Sequence, residues 1–148
     1  MSKIIQFFKS EAWTLLTAIP EEFSRFNSKV CSVEGKIYLV GGGSGGERRK
    51  VTEYNPSTDS WRNMPSLQLE RDGDDGVCTL DNKIYVVGAD NTCEMLDMGE
   101  KDPEWKYIAN MKGQHHDASI AILDRKIYIL GGAGTDVEVY DVDEGIFM

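Results

Sequence analysis

Few residues of this chain have the types and spacing that catalysis or metal binding would need. His115, His116 and Asp117 are consecutive, and they include both histidines of the sequence. Adjacent histidines on an extended segment project in different directions, and no cysteine or glutamate stands at metal-ligand spacing from them. A catalytic His–Asp pair would also need a nucleophile, and the sequence has no nucleophile-elbow pattern. We therefore expect no catalytic residue and no bound metal.

Two loops carry fragments of ligand-binding patterns. Gly41–Gly46 contains the spacing of a dinucleotide-binding fingerprint, but Glu47–Lys50 and an apolar strand-like stretch follow where that fingerprint needs a helix. Arg71–Gly76 resembles part of a calcium loop, yet the twelfth position counted from Asp72 is Lys83, where calcium needs a carboxylate. We expect both segments to be connecting loops, and we expect no cofactor.

The composition and net charge of the chain limit the kinds of partner that we expect. The chain has 148 residues, 41% of them hydrophobic and 28% charged, which is typical of one globular domain. Its formal net charge of −9 argues against binding to nucleic acid or to an anionic membrane. The apolar run in residues 1–8 is broken at Gln6, and we expect it to be too short for the core of a signal peptide or for a membrane span. Three cysteines leave one unpaired in any disulfide scheme, so we expect a reducing, cytoplasmic location.

A long-range repeat determines where the loops lie. The sequence Lys-Ile-Tyr, followed by apolar residues and glycine, occurs three times, and Tyr38, Tyr85 and Tyr128 are 47 and 43 positions apart. The three tryptophans keep the same phase, with separations of 48 and 44. Two markers in phase indicate a structural unit of about 45 residues, the size of a propeller blade or of some helical repeats.

Each repeat has the pattern of four short strands. The Ile-Tyr runs are rich in β-branched and aromatic residues and are too short for helices. An apolar stretch precedes each run across Glu34-Gly35, Asp81-Asn82 or Asp124-Arg125, and the first two pairs suit a tight hairpin. A third strand follows each run, and a fourth begins near Trp61 or Trp105. Four short antiparallel strands per repeat predict a propeller blade.

The first repeat carries the most specific pattern, which runs from Gly41-Gly42 through Tyr54 and Trp61 to Met64-Pro65. This pattern resembles the kelch repeat. The resemblance assigns a structural role to Gly41, Gly42, Tyr54, Trp61, Gly88, Trp105, Gly131, Gly132 and Tyr140. The later repeats depart from the pattern at Ala89, at Leu96 and at Phe147.

The resemblance implies an all-β fold of kelch-type blades, each a four-stranded antiparallel sheet, in an incomplete propeller of about three blades. We expect one domain, 1–148, with a fourth-strand segment at 1–17, blade 1 at 26–64, blade 2 at 72–109 and an incomplete blade 3 at 115–148. The strand at Trp13 could complete the last blade. Propellers have four to eight blades, so three explanations stay open. The chain is a piece or truncated relative of a longer kelch protein, two copies form a six-bladed homodimer in which each lends its Trp13 strand to the other, or the three blades stand alone as an open sector.

The expected function follows from two sets of loops that should emerge at one end of the blades. One set joins second to third strands at 43–50, 90–92 and 133–136, and the other connects successive blades at 20–28, 65–75 and 112–117. Similar kelch modules hold a partner's peptide there, and the resemblance suggests a non-enzymatic protein-interaction module. It would recognise a substrate or partner as kelch-type adaptors of cullin ubiquitin ligases do, or alternatively bind actin. A kelch-fold enzyme is the third reading. The predicted partner-binding residues are Arg25, Asn27, Ser44, Arg48, Arg49, Arg71 and His115.

Overall fold

Short antiparallel strands make up most of the described chain. The structure, a computed structural model, describes residues 3–6, 13–88, 90–132 and 136–148, with side chains from residue 17 onward. Two 3₁₀ turns, Glu21–Phe23 and Gly45–Arg49, are the helical segments within these ranges, and both are far too short to span a bilayer. In chain order the strands are β1 (Lys3–Gln6), β2 (Trp13–Leu16), β3 (Lys29–Val33), β4 (Lys36–Val40), β5 (Val51–Asn55), β6 (Ser60–Met64), β7 (Gly76–Leu80), β8 (Lys83–Val87), β9 (Cys93–Asp97), β10 (Trp105–Tyr107), β11 (Ser119–Leu123), β12 (Lys126–Leu130), β13 (Val137–Asp141) and β14 (Ile146–Phe147).

The strands form three four-stranded meanders. Blade 1 contains β3 to β6, blade 2 contains β7 to β10 and blade 3 contains β11 to β14, each pairing its strands in sequence order. The first strands of consecutive blades are neighbours, because β7 lies against both β3 and β11. The predicted all-β fold of about three kelch-type blades is confirmed.

The first two strands of every blade join through the same tight turn. Both turn residues have positive φ in each case: 47° and 75° at Glu34-Gly35, 50° and 58° at Asp81-Asn82, and 47° and 60° at Asp124-Arg125. This conformation matches the twist of a two-residue hairpin. The third turn therefore adopts a geometry that its sequence did not predict, since arginine rarely occupies this region.

The N-terminal strand differs from its predicted place. Trp13–Leu16 pairs with Lys3–Gln6 in a separate two-stranded sheet, while blade 3 has its own short fourth strand, β14. Gln6 faces Trp13 just as Tyr54 faces Trp61, at positions 48 residues later. The β1–β2 hairpin thus has the pairing register of the outer half of a blade.

The apolar core consists of two layers between blades. The layer between blades 1 and 2 is formed by Val33, Tyr38, Val40, Val51, Leu67, Ile84, Val86, Leu96 and Trp105. The layer between blades 2 and 3 is formed by Tyr85, Val87, Cys93, Met111, Ile127, Ile129 and Tyr140. Middle strands alternate, so that neighbouring residues contribute to opposite layers. Blade 2 is consequently the only described blade that is covered on both faces.

Candidate protein-interaction surface

Two sets of loops meet at one end of the blades. The Gly43 N–H donates to the Phe26 carbonyl over 2.8 Å, and the Arg71 N–H donates to the Arg48 carbonyl over 2.9 Å. Each bond joins a connector between blades to a loop between second and third strands, as the sequence predicted. We call this end the loop surface, comprising connectors 20–28, 65–75 and 112–117 and loops 41–50 and 90–92. The third such loop, predicted at 133–136, lies outside the described residues except for Asp136.

Arg25 on the first connector is held by its own chain. Its Nε donates to the Gly41 carbonyl (3.1 Å), and its Nη2 donates to the Leu39 carbonyl (3.2 Å). Its Nη1 donates to Thr52 Oγ1 over 3.0 Å. The guanidinium is half-buried and each of its three nitrogens is engaged, so Arg25 fastens the connector to blade 1.

Arg71 occupies the same place on the second connector, and its side chain is only 3% exposed. Its Nη1 lies 3.0 Å from Asp75 Oδ1, and its Nη2 lies 3.0 Å from Glu94 Oε1. Burial alone would lower the pKa of Arg71, but the carboxylates of Asp75 and Glu94 outweigh it and raise that pKa. Arg71 is therefore a buried cation neutralised within the chain.

His115 repeats the arrangement on the third connector and is 3% exposed. Its Nδ1 is 3.0 Å from the Gly131 carbonyl, and its Nε2 is 3.2 Å from Glu138 Oε1. Glu138 also accepts the backbone N–H groups of Lys112 (2.8 Å) and Gly113 (2.7 Å). Burial would raise the pKa of Glu138, but these hydrogen bonds outweigh it and hold that pKa below its usual range.

Arg25, Arg71 and His115 are thus equivalent latch residues. Each leaves a connector and binds a polar side chain on the third strand of the following blade, which is Thr52, Glu94 or Glu138. Arg71 and His115 are buried, and neither side chain can reach a partner without first leaving its own interaction, so their partner-binding role stays a prediction that requires this release. The sequence could not show this, since each latch joins residues more than twenty positions apart.

The residue after each latch forms the exposed tip of its connector. These tips are Phe26, Asp72 and His116, and all three are exposed. The residue that follows each tip has positive φ, which turns the chain back toward the next blade. Phe26 is 63% exposed and was not among the predicted residues. The signal in the sequence is a large apolar residue between the polar residues Arg25 and Asn27 in a predicted connector.

The other predicted residues remain on the loop surface. Asn27 is exposed at φ 56°, and Ser44 is exposed where it caps the 3₁₀ turn through a reciprocal contact with Glu47. Arg49 is exposed, although its Nε donates to the Leu67 carbonyl over 2.7 Å. Asn27, Ser44 and Arg49 therefore stay accessible on the loop surface.

Arg48 borders a cavity of about 190 Å³ between the first two blades and the third connector. Carboxylates dominate its lining, which consists of Arg48, Glu70, Arg71, Asp72, Asp74, Asp75, Asp90 and His116. The loop surface therefore has two electrostatic halves, with exposed arginine beside blade 1 and exposed carboxylates beside blade 2.

The other residues that could take part in chemistry are the three cysteines and the acidic residues of the calcium-like loop. Burial raises the pKa of Cys31, Cys78 and Cys93 to about 12, which disfavours the reactive thiolate. Asp75 of the calcium-like loop is paired with Arg71. Within the described residues, no group of three or more His, Cys, Asp or Glu side chains could hold a metal ion.

Comparison with known families agrees with this architecture. Residues 24–68 match the family model described as the Kelch motif. The match spans blade 1 with parts of its two flanking connectors, and blades 2 and 3 repeat the same strand order. No curated protein matches the chain at a significant level. The chain carries a kelch repeat, and the predicted resemblance to kelch-repeat proteins is confirmed.

Proposed function

We propose that this chain is a non-enzymatic protein-interaction module that binds a protein segment on its loop surface. The observation that carries the proposal is the convergence of the connector tips and the second-to-third-strand loops at one end of the blades. Loops on a rigid scaffold are where recognition residues concentrate. The kelch motif suggests protein interaction in general.

Phe26 is the side chain that supports this proposal most directly. It is a large aromatic, 63% exposed, on a connector whose neighbouring residue Arg25 is fixed by three hydrogen bonds. Aromatic and arginine side chains dominate the energetics of many interfaces. Arg49 and Ser44 lie on the adjoining loop and would supply the polar contacts around Phe26.

The experiment compares affinity capture from cell lysate by the wild-type chain and by the double variant Phe26→Ala/Arg49→Glu. We expect partners bound through this surface to bind the double variant about tenfold or more weakly. Lys101→Glu is the matched control, because it makes the same charge reversal on an exposed residue near the opposite end of blade 2. Circular dichroism checks that all three proteins are folded. Equal capture by the wild type and the double variant would refute the loop surface as the binding site.

We propose substrate or partner recognition, as in kelch-type adaptors of cullin ubiquitin ligases, as the specific role. Binding to actin or another cytoskeletal protein is the alternative. Co-sedimentation of the purified chain with filamentous actin separates the two, because only the alternative requires it. A kelch-fold enzyme remains a third candidate, and metal analysis of the purified protein tests it, since oxidase chemistry on such a scaffold would need a metal site.

The proposed location is the cytoplasm, and the proposed partner is a protein rather than nucleic acid or a membrane. The net charge of −9 supports the choice of partner. The three free cysteines support a reducing compartment. A six-bladed homodimer is also proposed.

A further inference from the structure

The two end blades expose surfaces that the chain buries elsewhere. The forward face of a blade is the side toward the next blade along the chain, and the backward face is the opposite side. On the forward face of blade 1, Val40 and Val51 are 2% and 1% exposed. Their equivalents on blade 3, Leu130 and Val137, are 40% and 54% exposed. The forward face of blade 3 is therefore an apolar interface surface without a covering blade in the described chain.

The backward face of blade 1 is likewise less buried than the backward faces of blades 2 and 3. On blade 2 the backward residue Val86 is fully buried, and on blade 3 the backward residue Ile129 is fully buried. The equivalent residue on blade 1, Leu39, is only half-buried. Val30 on the same face is 60% exposed.

The contact between blades 2 and 3 shows how these two faces fit. Ile120, on the backward face of blade 3, packs directly on Gly76 of blade 2. A Cβ added to Gly76 would lie 2.0 Å from the Cδ1 of Ile120. Val30 is the equivalent of Ile120 by strand register. The residues of blade 3 that would receive Val30 are Ser119 and Ala121, which are both small and exposed.

We propose that the forward face of blade 3 binds the backward face of blade 1 of a second copy of this chain. Inside the chain, a forward face packs against a backward face twice, between blades 1 and 2 and between blades 2 and 3. The two uncovered faces are the equivalents of these packed surfaces, so the occupant of each is a kelch blade. Two such contacts related by a twofold axis close a ring of six blades, within the four to eight that propellers have. The loop surfaces of both copies then lie on one side of the ring.

Sedimentation velocity of the full-length chain at micromolar concentration tests the association. We expect a compact species of twice the 16.6 kDa chain mass. Val137→Asp places a charge on the forward face and should reduce the species to a monomer. Tyr107→Asp is the matched control, because Tyr107 is 55% exposed on the outer strand of blade 2, away from both end faces. A monomeric wild type, or a dimer that Val137→Asp leaves intact, would overturn the proposal.

A charge-pair experiment tests which blades touch. Val30→Lys and Ala121→Asp each change one exposed residue, and each chain alone should sediment as a monomer. An equimolar mixture should recover the dimer, since the new lysine would face the new aspartate in one contact and the other contact would be wild type. A mixture that stays monomeric would overturn blade 1 as the occupant of the forward face of blade 3. A different protein bound at that face would overturn it as well. A monomeric wild type that still captures partners through Phe26 would leave the proposed loop-surface function standing.

Discussion

At the scale of single residues, polar and charged latch side chains fasten the connectors to the blades. Glu138 illustrates this, because the residue is 5% exposed and its carboxylate accepts the N–H groups of Lys112 and Gly113 beside His115. A buried carboxylate is tolerated only when such donors compensate for its lost hydration. Latch residues of this kind fix where the connectors, and hence the exposed tips, are placed.

Replacing Glu138 with glutamine should therefore destabilise the protein in a pH-dependent way. Because the folded pKa of Glu138 is lowered, its carboxylate contributes stability above the unfolded pKa of about 4.3, and that stability is lost as the pH falls through the folded pKa. At pH 7 we expect Glu138→Gln to lower the free energy of unfolding by about 1.5–3 kcal/mol, the range for hydrogen bonds to charged groups.

Urea denaturation of both proteins at several pH values measures this difference. The gap between wild type and Glu138→Gln should narrow as the solution becomes more acidic. Glu144→Gln, on the exposed turn after β13, serves as the control and should have little effect. A gap that stays constant from pH 7 to strongly acidic solution would contradict the assigned role.

At the scale of elements, the glycine pairs that follow the second strands of blades 1 and 3 leave room for the backbone of the connectors. Gly42 has a φ of 78°, and a Cβ on it would lie 2.5 Å from both the Phe26 carbonyl oxygen and the Ser28 nitrogen. Gly132 has the same relation to the third connector, where the His116 carbonyl oxygen would be 2.4 Å away. The glycine is required because connector backbone occupies the space of a side chain.

Gly42→Ala should thus cost far more stability than an alanine at an equally strained but open position. Gly35 provides that comparison, since its φ is 75° and a Cβ added to it would meet no other atom within 4 Å. We expect Gly35→Ala to cost about 1–2 kcal/mol from backbone strain alone. Gly42→Ala adds a backbone clash and should cost roughly 3 kcal/mol or more.

Thermal unfolding monitored by circular dichroism compares Gly42→Ala and Gly35→Ala. Similar losses for the two variants would show that φ strain alone explains the glycine at position 42. A larger loss for Gly42→Ala supports close packing of the first connector on blade 1.

The elements were largely predictable from sequence, whereas the burial of the latch residues was not. The Ile-Tyr runs and the tryptophans predicted the strands because side-chain period and turn residues are local signals. Two features are visible only in the folded structure, because neither follows from local sequence preference. They are the turn at Asp124-Arg125 and the pairing of Trp13 with Gln6. Arg71 looked like a surface arginine because its carboxylate partner Glu94 lies 23 positions away.

At the scale of the whole molecule, stability depends on contacts between neighbouring blades. Val86 is fully buried toward blade 1, and Val87 is 3% exposed toward blade 3, so strand β8 is covered on both faces. The equivalent forward residue of blade 3, Leu130, is 40% exposed. Repeat arrays of this kind derive their stability from nearest-neighbour interfaces, and their ends are the weakest.

Hydrogen exchange should therefore distinguish a three-blade monomer from a closed ring. In the Val137→Asp variant we expect β8 to retain the slowest amide exchange, with faster exchange in β4 and β12, because each end blade lacks one neighbour. In wild-type protein at concentrations where two copies associate, β4 and β12 should become protected to a similar degree as β8. Mass-spectrometric exchange with peptides that resolve these three strands makes the measurement.

Equal protection of all three strands in the Val137→Asp monomer would contradict nearest-neighbour stabilisation of the blades. Unequal protection that persists in wild-type protein at high concentration would instead contradict ring closure. The pattern of exchange thus separates the stability of the blades from their assembly, because the first depends on the two core layers inside one chain and the second on Leu130 and Leu39 between chains.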